Sequence, residues 1–340
     1  MVPEEIEFEL NTNNDMEITV DAEGRQHIQR PLIPLYKVRR FGEKISDTFA
    51  FIGENIRPLF KYITYLLLPL CLFQALAFNG LMSNYFSTIG NIAGGKLDND
   101  NMFFSDGMQG MLGNFILTML FYTVGSLVLV SLVYALMYLY EHREGRLSDI
   151  TFSEIRSLLT RNIKRGVVLI LVGFVIVLLF FAWVFLMATA SPYLFVVAYI
   201  VGLVLIIPMS LAAPIYLFEH VNVLEAYLKA IRLGFKTFGG VLAVVIVLSL
   251  IVGILQMITT LPWEIAMIFK TGLGLDSADN AFTSSVGYSF MTYILGVIQC
   301  YGAYLVYAIL FVGIAYQYGH ASEKIDRFTV ENDIEHFETL

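Results

Sequence analysis

Residues 166–218 carry no charged side chain over their whole length: GVVLILVGFVIVLLFFAWVFLMATASPYLFVVAYIVGLVLIIPMSLAAPIYLF. About 20 consecutive apolar residues are enough to cross the hydrocarbon core of a bilayer as an α-helix, so this stretch is long enough for two crossings. Its one break, Thr189–Pro192, combines small residues with a proline, which favours a turn. We therefore predict a tight hairpin of two transmembrane helices.

Similar apolar runs occur along the rest of the chain, and they predict an all-α, polytopic integral membrane protein with six transmembrane helices. The composition agrees, because 57% hydrophobic residues, 15% charged residues and a mean hydropathy of +0.69 are unusual for a soluble domain. The runs 113–140 and 287–318 exceed the minimum length, so we expect these helices to be tilted or to project from the bilayer. The predicted helices lie near 59–80, 113–140, 166–189, 193–218, 239–268 and 287–318.

Polar, acidic segments flank the membrane domain, which we place at residues 41–320. We expect residues 1–40 to be a flexible N-terminal tail and residues 321–340 an acidic C-terminal tail. The first of these lacks the basic and then apolar layout of a signal peptide, so we expect no cleavage. The net charge of −8 comes mainly from these tails and does not support nucleic-acid binding. Cys71 and Cys300 both lie in apolar runs, which argues against a disulfide framework or a thiolate metal site.

The distribution of Lys and Arg predicts the orientation of the chain, because cytoplasmic loops retain positive charge. With the predicted helices, all 21 Lys and Arg residues except Lys96 and Lys270 fall on one side of the membrane. That side holds both termini and the loops after the second and fourth helices. We therefore expect a multi-pass protein of the bacterial inner membrane with both termini in the cytoplasm.

The ends of the second, fourth and sixth helices resemble one another, which suggests an internal repeat. Each end has two aromatic residues at a spacing of two and then a histidine: Tyr138–His142, Tyr216–His220 and Tyr316–His320. The segments before the odd-numbered helices also correspond, since each opens an amphipathic stretch that leads through basic residues into an apolar run. We predict three repeated helical hairpins, each preceded by a cytoplasmic amphipathic helix.

The amphipathic stretches of the second and third repeats place cations beside an apolar stripe, as in helices that lie in the headgroup plane. Anionic lipid is a natural partner for such cations, at roughly 1 kcal/mol per residue. Ordinary charge that sets the topology, without specific lipid binding, explains them equally simply. The candidate headgroup contacts are Arg156, Arg161, Lys164, Arg165, Lys229, Arg232 and Lys236.

Two segments resemble a known family. Residues 210–236, SLAAPIYLFEHVNVLEAYLKAIRLGFK, and residues 138–145, YLYEHREG, are similar to bacterial six-helix proteins related to the membrane domain of glycerophosphoryl diester phosphodiesterases. The resemblance covers roughly residues 40–320, but Ala230 and Ile231 stand where that family usually has a Ser followed by a bulky residue. The catalytic barrel of that family is also absent. The resemblance therefore implies a shared architecture and a lipid-related setting, without phosphodiesterase activity.

No catalytic motif is evident, so we expect the protein not to be an enzyme and to need no cofactor. The patterns HExxH, GxSxG and GxxxxGK[ST] do not occur. His142, His220 and His320, with Glu141 and Glu219, would form a metal-binding cluster if the three repeats packed around an axis. A simpler interpretation is that histidines near helix C-termini favour the helix dipole and that the tyrosines are interfacial anchors.

Polar residues within the predicted helices raise a second functional class, a transporter. Glu264 follows Pro262 and Trp263 and is expected at the outer interface, whereas Gln256 and Gln299 lie deeper and are expected to bond to each other across the bundle. A hydrated central cavity that reaches both glutamines would favour transport, and a solid apolar core would argue against it.

Our first expectation is a non-catalytic inner-membrane protein that acts by binding, as a lipid-associated or membrane-complex assembly factor. Its partners would be membrane lipids and other membrane proteins. The alternative is a transporter or permease for a neutral or amphiphilic small molecule.

Overall fold

The computed structural model describes residues 17–20, 26–29, 31–93, 106–143, 145–272 and 285–327. The chain divides into two compact units, Met1–Pro34 and Leu35–Leu340. In the first unit, strands β1 (Glu17–Val20) and β2 (Gln26–Gln29) pair antiparallel. This hairpin was not among our expectations for the N-terminal tail. Residues 1–16 of that tail and most of the expected C-terminal tail, 328–340, lie outside the described residues.

The second unit consists of helices, and six of its segments are long and apolar enough to cross a membrane. Each of these segments contains one of the six predicted runs. The segments are Ile56–Ile89, Met108–His142, Phe152–Ala190, Pro192–Phe218, Phe238–Lys270 and Val286–Asp326. The prediction of an all-α, multi-pass membrane protein is therefore confirmed at this level. The helices are α1 (Phe41–Glu54), α2 (Ile56–Ala93), α3 (Asp106–His142), α4 (Phe152–Ala190), α5 (Pro192–Met209), α6 (Ala212–Phe218), α7 (Val223–Lys236), α8 (Phe238–Gly272) and α9 (Val286–Asp326).

Several of these helices are much longer than a bilayer is thick. The 41 residues of α9 and the 39 residues of α4 would extend about 60 Å at 1.5 Å per residue. The hydrocarbon core of a bilayer is about 30 Å thick. Both helices therefore project well beyond it, which we had expected for α9 but not for α4.

Helix α9 lies at the centre of the bundle and packs against α2, α3 and α8. Its C-terminal part is buried without interruption over residues 312–322. Polar side chains inside the bundle bond to one another: Tyr304 donates to Gln74 at 2.7 Å, and Trp263 donates to Asn79 at 2.7 Å. Such pairing is needed because a bilayer offers buried polar groups no water.

Helices α4 and α5 form the predicted hairpin at the side of this bundle. Helix α4 ends at Ala190 and α5 begins at Pro192, where a missing backbone N–H costs no helical hydrogen bond. The Ser191 hydroxyl between them accepts the backbone N–H of Tyr193 at 3.3 Å. Most large apolar side chains of the hairpin are exposed, as befits helices surrounded by lipid.

The fourth predicted helix is interrupted near its C-terminal end. Helix α5 ends at Met209, and α6 begins at Ala212. Pro208 and Pro214 flank this break, and because neither has a backbone N–H, each removes one helical hydrogen bond.

Two of the three helices expected before the hairpins are separate elements. Asn55 separates α1 from α2, and Thr237 separates α7 from α8; both bond back to the preceding turn, at Phe51 and Leu233. The second amphipathic stretch is instead the first part of α4, because residues 152–190 contain no proline and continue as one helix. The threefold repeat itself stays a prediction.

Candidate anion-binding site

One face of the first turns of α4 is entirely polar. It consists of residues spaced three or four apart, which lie on the same side of a helix. The opposite face holds Ile155, Leu159 and Gly166 against the rest of the bundle. The polar face lines a wide groove of about 600 Å³, formed by Ser153, Arg156, Ser157, Thr160, Arg161 and Lys164.

The groove carries three positive charges and no lining carboxylate. The part of the chain described by the structure gives Arg156, Arg161 and Lys164 no ion pair, whereas nearby cations are neutralised. Arg143 pairs with Glu154 at 3.2 Å, and Arg146 pairs with Glu54 at 2.7 Å. The groove therefore carries a local excess of positive charge.

Arg161 is the most buried of the three cations in the groove. Its Nε is buried and has no hydrogen-bond partner among the described residues. Its guanidinium carbon lies 5.9 Å from the centre of the Tyr138 ring, and that ring stacks on His142. A buried donor without a partner costs about 1–3 kcal/mol, so the described residues leave the guanidinium of Arg161 with hydrogen-bonding capacity to spare.

Hydroxyl groups add hydrogen-bonding capacity between the cations. Ser157 is exposed and has no hydrogen bond within the described ranges. Thr160 donates to the carbonyl of Arg156 at 2.8 Å, and Ser153 shares a hydrogen bond with Thr151 at 2.9 Å. Cationic and hydroxyl donors together are the groups that bind phosphate oxygens in proteins.

The groove lies directly beside the apolar part of α4. Lys164 is two residues before the charge-free stretch that begins at Gly166. Ser153 lies about 16 Å further along the helix axis, at 1.5 Å per residue. The inner end of the groove is thus next to the hydrocarbon boundary, and its outer end extends into solvent.

The other four predicted headgroup contacts lie elsewhere. Arg165 turns inward, donates to the carbonyl of Glu219 at 2.8 Å and covers the Tyr216 ring. Lys229 pairs with Glu219 at 2.8 Å, and Arg232 pairs with Asp326 at 2.8 Å. Lys236 is exposed on α7. Of the seven predicted contacts, three therefore line the groove, three bond to the protein's own carboxylates and carbonyls, and Lys236 is exposed.

A buried cluster that the sequence analysis missed surrounds Glu219, between α6 and α7. Lys229 donates to both carboxylate oxygens at 2.8 Å, and Tyr318 donates to one of them at 2.6 Å. The Tyr318 hydroxyl lies 3.1 Å from that of Tyr36. We call these four residues the Glu219 cluster. Its donors come from distant parts of the chain, so only spatial proximity reveals it.

Residues 35–40, which we call the N-terminal strap, were assigned to the tail but belong to the helical unit. Arg39 is 3% exposed and binds Asp47 at 2.6 Å. Its backbone N–H donates to His320 Nδ1 at 2.9 Å, and its guanidinium covers the Tyr316 ring. The N–H of Leu35 donates to Glu141 at 3.1 Å.

The three histidines considered as metal ligands are not brought together. Nδ1 of His142 lies 2.9 Å from the carbonyl of Tyr138, His220 is exposed, and Nδ1 of His320 accepts the N–H of Arg39. Within the described ranges, no group of three or more His, Cys, Asp and Glu residues is arranged to hold a metal ion. Each histidine has its own local environment, so the metal alternative gains no support from the fold.

The intramembrane glutamines are not bonded to each other. Gln256 donates to Thr260, one turn along α8, at 3.0 Å, and the carbonyl oxygens of Gln256 and Gln299 both lack a partner among the described residues. A cavity of about 260 Å³ is lined by Gln256 and Glu264 on α8 and by Tyr307 on α9. Gln299 does not line it. This cavity therefore reaches Gln256 but not Gln299, so it does not meet the criterion for transport, which was a cavity that reaches both glutamines.

Comparison of the chain with protein-family models, with curated proteins and with solved structures gives no match. The resemblance to phosphodiesterase membrane domains therefore stays a prediction.

Proposed function

We propose that this chain is a non-catalytic, multi-pass protein of the bacterial inner membrane that binds anionic lipid headgroups in the α4 groove. One observation carries the proposal: Arg156, Arg161 and Lys164 line a single groove in which they have no carboxylate partner. Positive charge that is neither paired nor buried in the core is available to a ligand. The adjoining apolar helix supports a position for that ligand at the surface of a bilayer.

The cytoplasmic orientation predicted from the charges supports this proposal. In that orientation the groove faces the cytoplasmic leaflet, whose anionic lipids attract basic segments at about 1 kcal/mol per cation. Helix α7 supports an interfacial setting on the same side: Leu224, Leu228 and Phe235 are exposed, while Ala226 and Ala230 face the protein. Exposed leucines beside polar residues are typical of a helix that lies in the headgroup region.

The groove is better suited to binding than to catalysis. It is lined by cations and hydroxyls, and none of its lining residues is a His, Asp or Glu that would act as a general base. The resemblance to membrane domains from a lipid-related family is consistent with the same conclusion. We therefore propose a lipid-associated or assembly role without turnover.

The test compares lipid binding to the purified full chain and to a triple variant, Arg156→Gln, Arg161→Gln and Lys164→Gln. Native mass spectrometry in a nonionic detergent would measure affinity for phosphatidylglycerol, with phosphatidylcholine of the same acyl chains as the neutral reference. Three contacts of about 1 kcal/mol each correspond to a loss of roughly 100-fold. The phosphatidylcholine affinity should not change.

The matched control removes three exposed cations outside the groove that are not candidate headgroup contacts, with Lys37→Gln, Arg57→Gln and Lys61→Gln. It changes the net charge equally, so it should reduce phosphatidylglycerol binding less than about fivefold if the groove is the site. Equal losses in the two triple variants would show that net charge alone attracts the lipid. Failure of the unaltered chain to prefer phosphatidylglycerol would also reject the proposal.

Transport of a neutral or amphiphilic molecule is the second candidate. The cavity beside Gln256 and Glu264 favours it, because polar groups deep in a membrane helix are costly without a partner. In proteoliposomes, transport through this cavity would be lost in Gln256→Leu and retained in Gln299→Leu. Equal effects of the two substitutions on transport would show that this cavity is not the transport pathway.

A further inference from the structure

The α4 groove has a larger charge excess than a phosphodiester headgroup would neutralise. Three cations line it, and the nearest acidic residue on the same helix, Glu154, is paired with Arg143. A phosphodiester carries one negative charge, so two positive charges would remain without a counterion. A phosphate monoester carries a charge of about −1.5 to −2 at pH 7, so close to one positive charge would remain in the groove.

The number of donors leads to the same conclusion. A phosphate monoester presents three terminal oxygens, whereas a diester presents two. The cationic donors are also three, and they come from successive turns of one helix face. Arg156 and Lys164 are about 12 Å apart along the helix axis, and their side chains are long enough to meet a ligand near Arg161 from either end.

Arg161 and Ser157 give the centre of the groove its strongest demand for an acceptor. Nε of Arg161 is buried and has no partner in the described part of the chain. Ser157, one turn earlier on the same face, has no hydrogen bond there either. A phosphate at this position accepts from Arg161 and Ser157 together, with Arg156 and Lys164 on the remaining oxygens.

We infer that the α4 groove recognises a phosphate monoester in preference to a phosphodiester. This inference rests on the proposed binding of anionic headgroups and specifies its chemistry. A monoester reaches the groove from two sources, as the headgroup of a phosphatidic acid in the bilayer or as a soluble phosphate monoester in the cytoplasm. The same three terminal oxygens are bound in both cases.

The experiment measures affinities of the full-length protein in nonionic detergent by native mass spectrometry. The probes are phosphatidic acid and phosphatidylglycerol with identical acyl chains, at pH 7.5 and at pH 5. We expect phosphatidic acid to bind at least tenfold more tightly at pH 7.5. At pH 5 the preference should largely disappear, because the second proton of a phosphate monoester binds with a pKa near 6.

Two variants assign the preference to the centre of the groove. Arg161→Gln should reduce the ratio of the two affinities to about one, and Ser157→Ala should reduce it severalfold without changing the charge of the protein. Arg57→Gln, an exposed cation outside the groove, should leave the ratio unchanged. Circular dichroism and monodispersity of each variant show whether it is folded, and Ser157→Ala tests the site even if Arg161→Gln is unstable.

Competition with glycerol 3-phosphate distinguishes the two sources. Displacement of phosphatidic acid at micromolar concentrations supports the inference with a soluble monoester as ligand, and retention of the lipid supports it with the lipid as ligand. Equal affinities for phosphatidic acid and phosphatidylglycerol would overturn the inference and leave the proposed function intact. Binding of neither lipid above the phosphatidylcholine level would overturn both.

Discussion

Glu219 illustrates how a single residue holds the ends of several helices together. Its side chain is 5% exposed and accepts hydrogen bonds from Lys229 and Tyr318. A buried carboxylate is tolerated only when its charge is paired and its oxygens are hydrogen-bonded, and both conditions are met here. The carboxylate thereby links α6, α7 and α9 at one point.

Substitution of Glu219 with Ala should destabilise the protein by about 2–4 kcal/mol, since it removes the 2.8 Å partner of Lys229, a cation that is only 19% exposed. Equilibrium unfolding in mixed micelles measures the change. Arg232→Ala is the matched control, because Arg232 is 52% exposed in its pair with Asp326 and should cost less than about 1 kcal/mol. Similar losses for both variants would contradict the central position of Glu219.

Lys44 makes stability depend on pH. Burial, together with the nearby charges of Lys324 and Arg39, lowers the pKa of its amino group from 10.5 to about 8. The amino group donates to Gln317 at 2.7 Å, and its charge interacts electrostatically with His320. The folded protein therefore releases this proton at a lower pH than the unfolded chain does.

Between about pH 8 and pH 10.5 the unfolded chain holds more protons at Lys44, so the free energy of unfolding should rise with pH in that window. The full shift corresponds to at most about 3 kcal/mol. Unfolding in mixed micelles at pH 7.5 and 10 would measure the rise, and Lys44→Met should reduce it. Lys61→Met removes an exposed lysine and should leave the rise unchanged; equal behaviour of the two variants would refute the assignment.

At the scale of whole elements, α7 is positioned by close contact with the hairpin. A Cβ added to Gly234 would lie 2.5 Å from Cα and Cβ of Pro208 on α5. The Tyr227 hydroxyl donates to the carbonyl of Leu169 on α4 at 3.0 Å. The position of α7 against α5 therefore depends on a glycine that admits the neighbouring backbone.

Gly234→Ala should force α7 away from α5 and cost about 1–3 kcal/mol, the usual range for overpacking. Gly239→Ala is the control, since a Cβ there has no atom within 4 Å and alanine favours helix. Thermal unfolding of the two variants in the same detergent gives the comparison. A Gly234→Ala variant as stable as the unaltered chain would show that the α5–α7 contact relaxes without cost.

The sequence predicted the elements well because apolar runs in a bilayer are long and unambiguous. Residues 59–80 and 239–268, for example, fall within α2 and α8. It did not predict that the segment before the third span would be continuous with α4, because the change from a polar to an apolar face leaves the backbone hydrogen bonds of a helix intact. Arg156, Arg161 and Lys164 were identified from charge and spacing, whereas the Glu219 cluster depends on residues almost 100 positions apart, Glu219 and Tyr318.

At the scale of the whole molecule, orientation is the main prediction. If both termini are cytoplasmic, Ser148 lies on the cytoplasmic side and Thr189, in the last turn of α4, lies on the opposite side. Membrane-impermeant maleimide should label Thr189→Cys in cells with a permeabilised outer membrane and label Ser148→Cys only after the inner membrane is opened. Cys71 and Cys300 are buried and contribute little background. The reverse labelling pattern would invert the topology and remove the groove from the cytoplasmic leaflet.

The N-terminal strap has a consequence for biosynthesis. Arg39 emerges from the ribosome 281 positions before His320, the residue that accepts its backbone N–H. The strap is thus among the first segments of the helical unit to be made, yet it docks only after α9 has been translated and inserted. Until then its partners on α9, Tyr316 and His320, are missing, so the burial of Arg39 follows the synthesis of α9.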